Sequence, residues 1–354
     1  MKSKFVILST VLLMSVCTFA QKNQIKAAQG ELNSGNPQGA LSTLKATEYL
    51  IVNAKDEDKS DFYFLKAKVL TTLAGNNIDS AENLSLAVST YEELITEEVA
   101  SGNLKYAVQA RAAIKEIKSN LENSAIADSN SGKYVDCAGK MYYLYQMDKK
   151  DTLKLFYAAS NYVNAKNYDL ALKHYKELAQ LNYSGKGLEY YATNKKTKTE
   201  ELFSSVAGRD ASVKDGTHEK SRNFMAPSKR TEIYKNMGYI YSEKGDLDNA
   251  EICYKKILEL DPKNLNAYID LAYLKQDSRK KLVDEMSALG TSAKDMKVYE
   301  ELRVKKDEII KSAVFYLEKA NQMDSKNVEV SKMLLNSYRA LDMTTEYNAL
   351  KARM

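Results

Sequence analysis

Acid–base or metal chemistry near neutral pH most often runs through histidine, and this chain has two, His174 and His218. His174 falls in a helical stretch, Tyr168 to Gln180, and reads as a helix-surface residue. His218 stands beside Asp215 and Glu219. A proton-transfer or zinc site there would need further ligands, and no second His or Cys lies near it in sequence. No H-E-x-x-H, G-x-S-x-G, phosphate-loop or C-x-x-C spacing occurs. Gly185-Lys186-Gly187 is too short to cradle a phosphate and reads as a turn. The run Lys195-Lys196-Thr197-Lys198 reads as a solvated hairpin tip, with lipid headgroups or an acidic partner as the functional alternative. The expectation is therefore no enzyme: no catalytic residue, no metal ligand set and no cofactor.

The elements around these residues follow from composition and periodicity. Lys2 and Lys4 precede an apolar run, Phe5 to Val16, and a small-residue exit, Thr18-Phe19-Ala20. That is the layout of a secretory signal peptide over 1–20, cleaved after Ala20. Lipidation at Cys17 is the rival reading; the large Val16 before it disfavours it. Export is therefore expected, and the family resemblance described below implies the periplasm or the outer membrane as its destination. No later stretch is apolar enough for a membrane span, so any envelope association is peripheral. Removing Lys2 and Lys4 lowers the formal charge of +5 by two, which leaves no strong field for nucleic acid. Cys137 and Cys253 lie in helical patterns far apart in sequence and read as small buried hydrophobes. With only 3 Pro, 14 Gly and abundant Ala, Leu, Lys and Glu, the composition favours helix.

In chain order, helices are expected over Gln24–Asn33, Pro37–Leu50, Asp61–Leu73, Asn83–Val99, Leu104–Asp128, Tyr134–Met147, Thr152–Ala165 and Tyr168–Gln180. Lys55–Lys59 reads as a charged loop and Ala74–Glu82 as a long connection. The rhythm then stops. Residues 184–227 read as an insertion, with a β-hairpin flanking Asn194–Thr197, a short helix within Leu202–Val213 and a loop over Asp215–Pro227. Ser228 is the expected N-cap of the next helix. The expected organisation is therefore N-terminal helical repeats over 21–183, the insertion at 184–227 and C-terminal repeats over 228–354. In the last of these, one helix pair is prolonged over 277–304.

The clearest repeat is Thr231 to Asn264, 34 residues. Tyr234, Met237, Gly238 and Tyr241 are followed nine residues later by Ala250, then Tyr254, Ile257 and Pro262. Small residues let two helices approach, and large ones fill the gap to the next pair. This spacing resembles the tetratricopeptide repeat (TPR), with Tyr in the aromatic slots. A second strong copy runs over 152–185, a moderate one over 265–354, and the pattern is weaker before 150. From Asp151 on, phrases such as LNYSGKGLEYYATNKKTK and AVFYLEKANQMDSKN resemble exported TPR proteins of Gram-negative bacteria. The resemblance implies an all-α superhelix of antiparallel helix pairs, here carrying a small β-hairpin insertion. It also implies a concave groove that binds a protein or peptide without chemistry.

In such a fold one stripe of each first helix faces the groove. Here that stripe is Tyr157 and Ser160, Lys235 and Tyr239, Ile269 and Tyr273, Lys332 and Asn336. Lys332 and Asn336 have the spacing of a carboxylate clamp, but no full repeat follows them and Lys235 is joined by Tyr, so an aromatic groove for apolar side chains fits better. The leading expectation is a non-catalytic interaction scaffold of the cell envelope. The alternative is a small-molecule or enzymatic module that uses 184–227 as a lid.

Overall fold

The computed structural model describes residues 21–354 except 77, 79 and 204. The expected leader, with its Cys17 alternative, lies outside those residues. The described residues divide into two compact units, the first ending at His174 and the second running from Tyr175 to Met354.

The first unit holds α1 (21–33), α2 (Pro37–Ile51), α3 (Asp56–Gly75), α4 (Ser80–Ser101), α5 (Ala107–Asn130), α6 (Tyr134–Met147), α7 (Thr152–Asn164) and the first half of α8 (Tyr168–Gln180). Leu44, Phe62, Leu65 and Val69 centre a core over α1–α3. Tyr91, Leu94, Ile117 and Leu144 belong to a second core that runs on to α7. Two connections expected from sequence are shorter than drawn. Residues 55–59 are not a loop: α3 starts at Asp56, because Asp56, Glu57 and Asp58 in its first turn complement the exposed N–H groups there. Likewise α4 starts at Ser80, inside the expected 74–82 connection. Helix α5 has no side-chain cap at Tyr106. The buried Glu98 of α4 replaces it, accepting from Tyr106 N at 2.9 Å and Ala107 N at 2.8 Å. The Tyr106 ring stacks on Phe64 at 4.2 Å and its hydroxyl donates to Asp61, so α3, α4 and the start of α5 are tied together.

The second unit opens with a three-stranded antiparallel sheet, β1 (Leu188–Asn194), β2 (Glu200–Phe203) and β3 (His218–Met225), in the order β2-β1-β3. Helix α9 (Val206–Lys214) lies between β2 and β3 in sequence. The third strand corrects the loop expected over 215–227, and the short helix starts at Val206 rather than Leu202, because Leu202 and Phe203 pair in β2. The polar run HEKSRNFM pairs because β1 offers a partner, with Tyr190 opposite Asn223 and Leu188 opposite Met225. Arg209 of α9 donates to the Arg222 carbonyl and to Asn223, and lies 5.7 Å from the Tyr190 ring centre.

Six helices follow: α10 (Arg230–Glu243), α11 (Leu247–Leu260), α12 (Leu265–Ser287), α13 (Ala293–Met323), α14 (Val328–Ala340) and α15 (Thr344–Lys351). Each packs on the next. The N-cap of α10 is Lys229, not Ser228, whose hydroxyl instead accepts from Arg230 N. At the α10–α11 turn Gly245 takes φ 73°, a left-handed value that a side chain would strain. Asp246 then caps α11 through Asn249 N. Asn264 and Asn327 cap α12 and α14 in the same manner. One core joins Ala250, Tyr254 and Ile257 to Leu271, Leu317, Leu334 and Leu350. Gly238 lets α10 and α11 approach closely: a Cβ there would sit 2.6 Å from Tyr254 Cε1.

Candidate functional site

The histidines separate at once. His174 is not on the surface; it is 2 % exposed, with Tyr142 at 4.5 Å and Tyr162 at 5.6 Å ring to ring. The aromatic slots of the first unit close around it, which a reading of α8 alone did not reveal. His218, 8 % exposed, starts β3. Its Nε2 lies 3.0 Å from Glu201 and its Nδ1 2.9 Å from the Thr217 hydroxyl, which also lies 2.7 Å from Asp215. Asn194 donates to the other Glu201 oxygen. The His218 hydrogen bond, followed by that of Asn194, holds Glu201 below the usual carboxylate range. These groups lock one end of the sheet, and each is engaged with another member of the set. No group of three or more His, Cys, Asp or Glu is placed to hold a metal among the described residues. Cys137 and Cys253 are free thiols, both buried. Burial pushes Cys253 up to about 11, away from nucleophilic use.

Of the expected groove residues, Tyr157 and Ser160 lie on α7 in the first unit. The other six lie in the second unit on α10, α12 and α14, each the first helix of a pair. Tyr157 and Tyr273 are each 37 % exposed and Tyr239 is 42 % exposed, so these rings present surface in addition to packing. Lys235, Lys332 and Asn336 are exposed, Ile269 half-buried. By contrast Tyr234, Gly238, Tyr241, Ala250 and Tyr254 are buried or half-buried between helices, while Pro262 sits exposed in the turn after α11.

Within the second unit the stripe is joined across helices by residues that the sequence reading omitted. The Tyr273 hydroxyl of α12 donates to Glu329 of α14. Burial, and then this hydrogen bond, push the phenol up to about 12. Asp270, three residues before Tyr273 and one after Ile269, is half-buried; burial pushes its carboxyl up, with Lys235 of α10 pulling the other way. Period-3.6 spacing from Ile269 and Tyr273 puts position 270 beside the stripe, but nothing in the sequence shows how far it is desolvated. Farther along, an open hollow of about 480 Å³ lies between α12, α13 and α14, with Lys280, Ile310 and Asn336 in its wall. A second, of about 600 Å³, lies at the base of the insertion beside Ser184, Lys186 and Thr231. No helix among the described residues is long and apolar enough to cross a membrane.

A model of the tetratricopeptide repeat matches residues 231–264. No curated protein matches the chain. Among solved structures, a TPR repeats protein from Bacteroides fragilis is similar at 16% identity, covering 77% of this chain and 98% of its own, with a TM-score of 0.33. A tetratricopeptide repeat protein from Parabacteroides merdae is similar at 13% identity, covering 90% and 98%, with a TM-score of 0.27. The P58(IPK) TPR domain is similar at 15% identity, covering 94% and 91%, with a TM-score of 0.30. Helices α10 and α11, with Gly238 against Tyr254 and Gly245 at the turn, are the physical form of the matched segment. Residues 231–264 match the tetratricopeptide repeat and fold as a helix pair, in a mainly helical chain that carries a small three-stranded sheet.

Proposed function

We propose that this protein is an interaction scaffold of the cell envelope, exported by its leader, whose second unit binds a protein or peptide along α10, α12 and α14. The observation that carries the reading is the exposure of Tyr239 and Tyr273 on successive first helices. Large aromatic rings at a surface supply contact area at small entropic cost, and a row of them on neighbouring helices suits an extended chain. The test compares wild type with the Tyr239→Ala/Tyr273→Ala variant as bait against an envelope fraction. A partner retained by the first and lost by the second, at unchanged helicity, supports the reading; equal retention by both refutes it. Export is checked separately by fractionating cells and sequencing the N-terminus of the mature chain.

The second reading, a ligand-binding module that uses 184–227, has the hollow at the insertion base in its favour. It requires that deleting 184–227 abolish activity while the helical repeats persist.

A further inference from the structure

The prolonged helix pair is the part of the second unit that the groove leaves unused. Helix α12 has 23 residues and α13 has 31, against 14 in α10 and 13 in α14. At 1.5 Å per residue, α12 runs on about 14 Å longer than α10, and with α13 it forms an arm. At the base of the arm Lys281 donates to the Gly245 carbonyl, and Val283 shares the 480 Å³ hollow with Asn336 of α14. No residue from Lys275 to Ile309 is buried. The seam between the two helices is the half-buried set Leu282 and Met286 on α12 with Val298 and Leu302 on α13. Helical geometry sets a second apolar group beside that seam. Each residue advances 100°, and because α12 and α13 run in opposite directions, the residue after a seam position turns to the same side on both. Val283 follows Leu282, Tyr299 follows Val298, and Met296 stands one turn from Tyr299; all three are exposed. They share the side of the hollow, which Val283 lines. There α14 ends at Ala340 and α15 has only 8 residues, so the following helix pair is too short to cover the arm. Charge is ordered along the same side. Arg279, Lys280 and Arg303 lie toward the base, Asp295 and Glu300 toward the tip. Among the described residues the arm's ion pairs are Arg303 with Glu300 and Lys306 with Asp307, so Arg279 and Lys280 have none.

We propose that the arm is a self-association surface. Two copies of this chain lay their arms together, antiparallel, about a two-fold axis through the Val283, Met296 and Tyr299 patch, and close a four-helix bundle. The charges select this occupant. Residues 277–308 carry 8 Lys and Arg and 8 Asp and Glu, a balance that offers no attraction to a lipid surface or to nucleic acid. In the antiparallel pairing the acidic tip of each arm meets the basic base of the other; in a parallel pairing like charges would meet. The lengths agree as well. Gly290 at the tip and Gln276 in the hollow are each about 10 Å along the arm from Val283, in opposite directions. A two-fold axis through the patch therefore brings the tip of one arm to the hollow of the other. The patch is small against the roughly 1,200–2,000 Å² of a stable interface, so the dimer is a weak one, with a Kd of about 1–100 μM. This assembly is independent of the groove reading above.

The test is sedimentation equilibrium of the mature chain between about 1 μM and about 0.5 mM. Wild type should pass from monomer to dimer within that range. Met296→Glu should stay monomeric. Val304→Glu is the control: Val304 is 54 % exposed against 53 % for Met296, but it turns to the other side of α13, and its variant should dimerise like wild type. Arg279→Glu/Lys280→Glu should weaken the dimer about tenfold or more, and adding Glu300→Lys to it should recover part of that loss. Wild type that remains monomeric at about 0.5 mM overturns the proposal. So does equal weakening by Met296→Glu and Val304→Glu, and so does a dimer that Arg279→Glu/Lys280→Glu leaves unchanged. If Met296→Glu loses helicity by circular dichroism, Tyr299→Gln takes its place. The Tyr239→Ala/Tyr273→Ala variant should dimerise normally, so failure of the groove reading and failure of this one are told apart.

Discussion

Gly238→Ala places a methyl group where the Tyr254 ring already stands. The added Cβ would lie 2.6 Å from Cε1, 2.8 Å from Cζ and 3.0 Å from Cδ1 of that ring. The ring has little freedom to retreat: Tyr254 is buried and packed in the core of α10–α15. Two effects oppose. Ala is favoured over Gly inside a helix by about 1 kcal/mol. Forcing an atom into a packed core costs about 1–3 kcal/mol. The sum is neutral to about 2 kcal/mol destabilising in the wild-type background. With Tyr254→Leu the two nearest ring atoms are gone, the propensity gain survives, and Gly238→Ala should stabilise by up to about 1 kcal/mol. The coupling between the two positions is then about 1–3 kcal/mol, measurable by urea unfolding of the four members of the cycle. Each kcal/mol moves the Tm of a domain of this size by about 2–4 °C, so melting gives a second reading. If Gly238→Ala stabilises both backgrounds equally, the close approach of α10 and α11 at this point is not what selects glycine.

Two further predictions concern the second unit. Cys253, with its thiol at about 11, should react with iodoacetamide at about pH 8 more than about 100-fold slower in the folded protein than in urea, followed by mass spectrometry; equal rates would refute its burial. Burial raises Glu251, but the hydrogen bonds and charges of Lys275 and Lys255 outweigh it and hold the carboxyl below its ordinary value. A depressed carboxyl adds stability above the unfolded pKa of about 4.3, and that stability is lost as pH falls through the folded value. Glu251→Gln should therefore cost about 1 kcal/mol or less near neutral pH, and denaturation curves of variant and wild type should converge in acid. A gap that persists at the lowest pH would show that packing, not charge, is lost.

The helix pairs were legible because a helix records its own surroundings every three or four residues. At α10–α11, Gly238, Ala250 and Tyr254 state both the spacing and the closeness of the pair. Charge misled the reading at α3: the acidic run that looked like a loop is its first turn, where negative side chains are favoured by the positive end of the helix. Strand β3 escaped because HEKSRNFM has no apolar alternation to announce it. It is a strand through its register with β1, with a shift between Tyr191 and Thr193. His174 escaped because the rings packed on it, Tyr142 and Tyr162, come from other helices, α6 and α7.

By itself the sequence determined most of the local plan: the succession of helices, which positions are small, and the spacing that puts Tyr239 on one stripe of α10 and Ile269 and Tyr273 on one stripe of α12. Those are properties of residues within a few turns of one another. The partners across helices were decided only by the tertiary structure. Glu329 meets Tyr273 from 56 residues away because the long α13 folds back between them and returns the chain beside α12. Glu201 meets His218 because β2 and β3 both pair with β1. Asp270 is desolvated by its neighbours, and desolvation depends on what surrounds a group in space rather than on what precedes it in the chain.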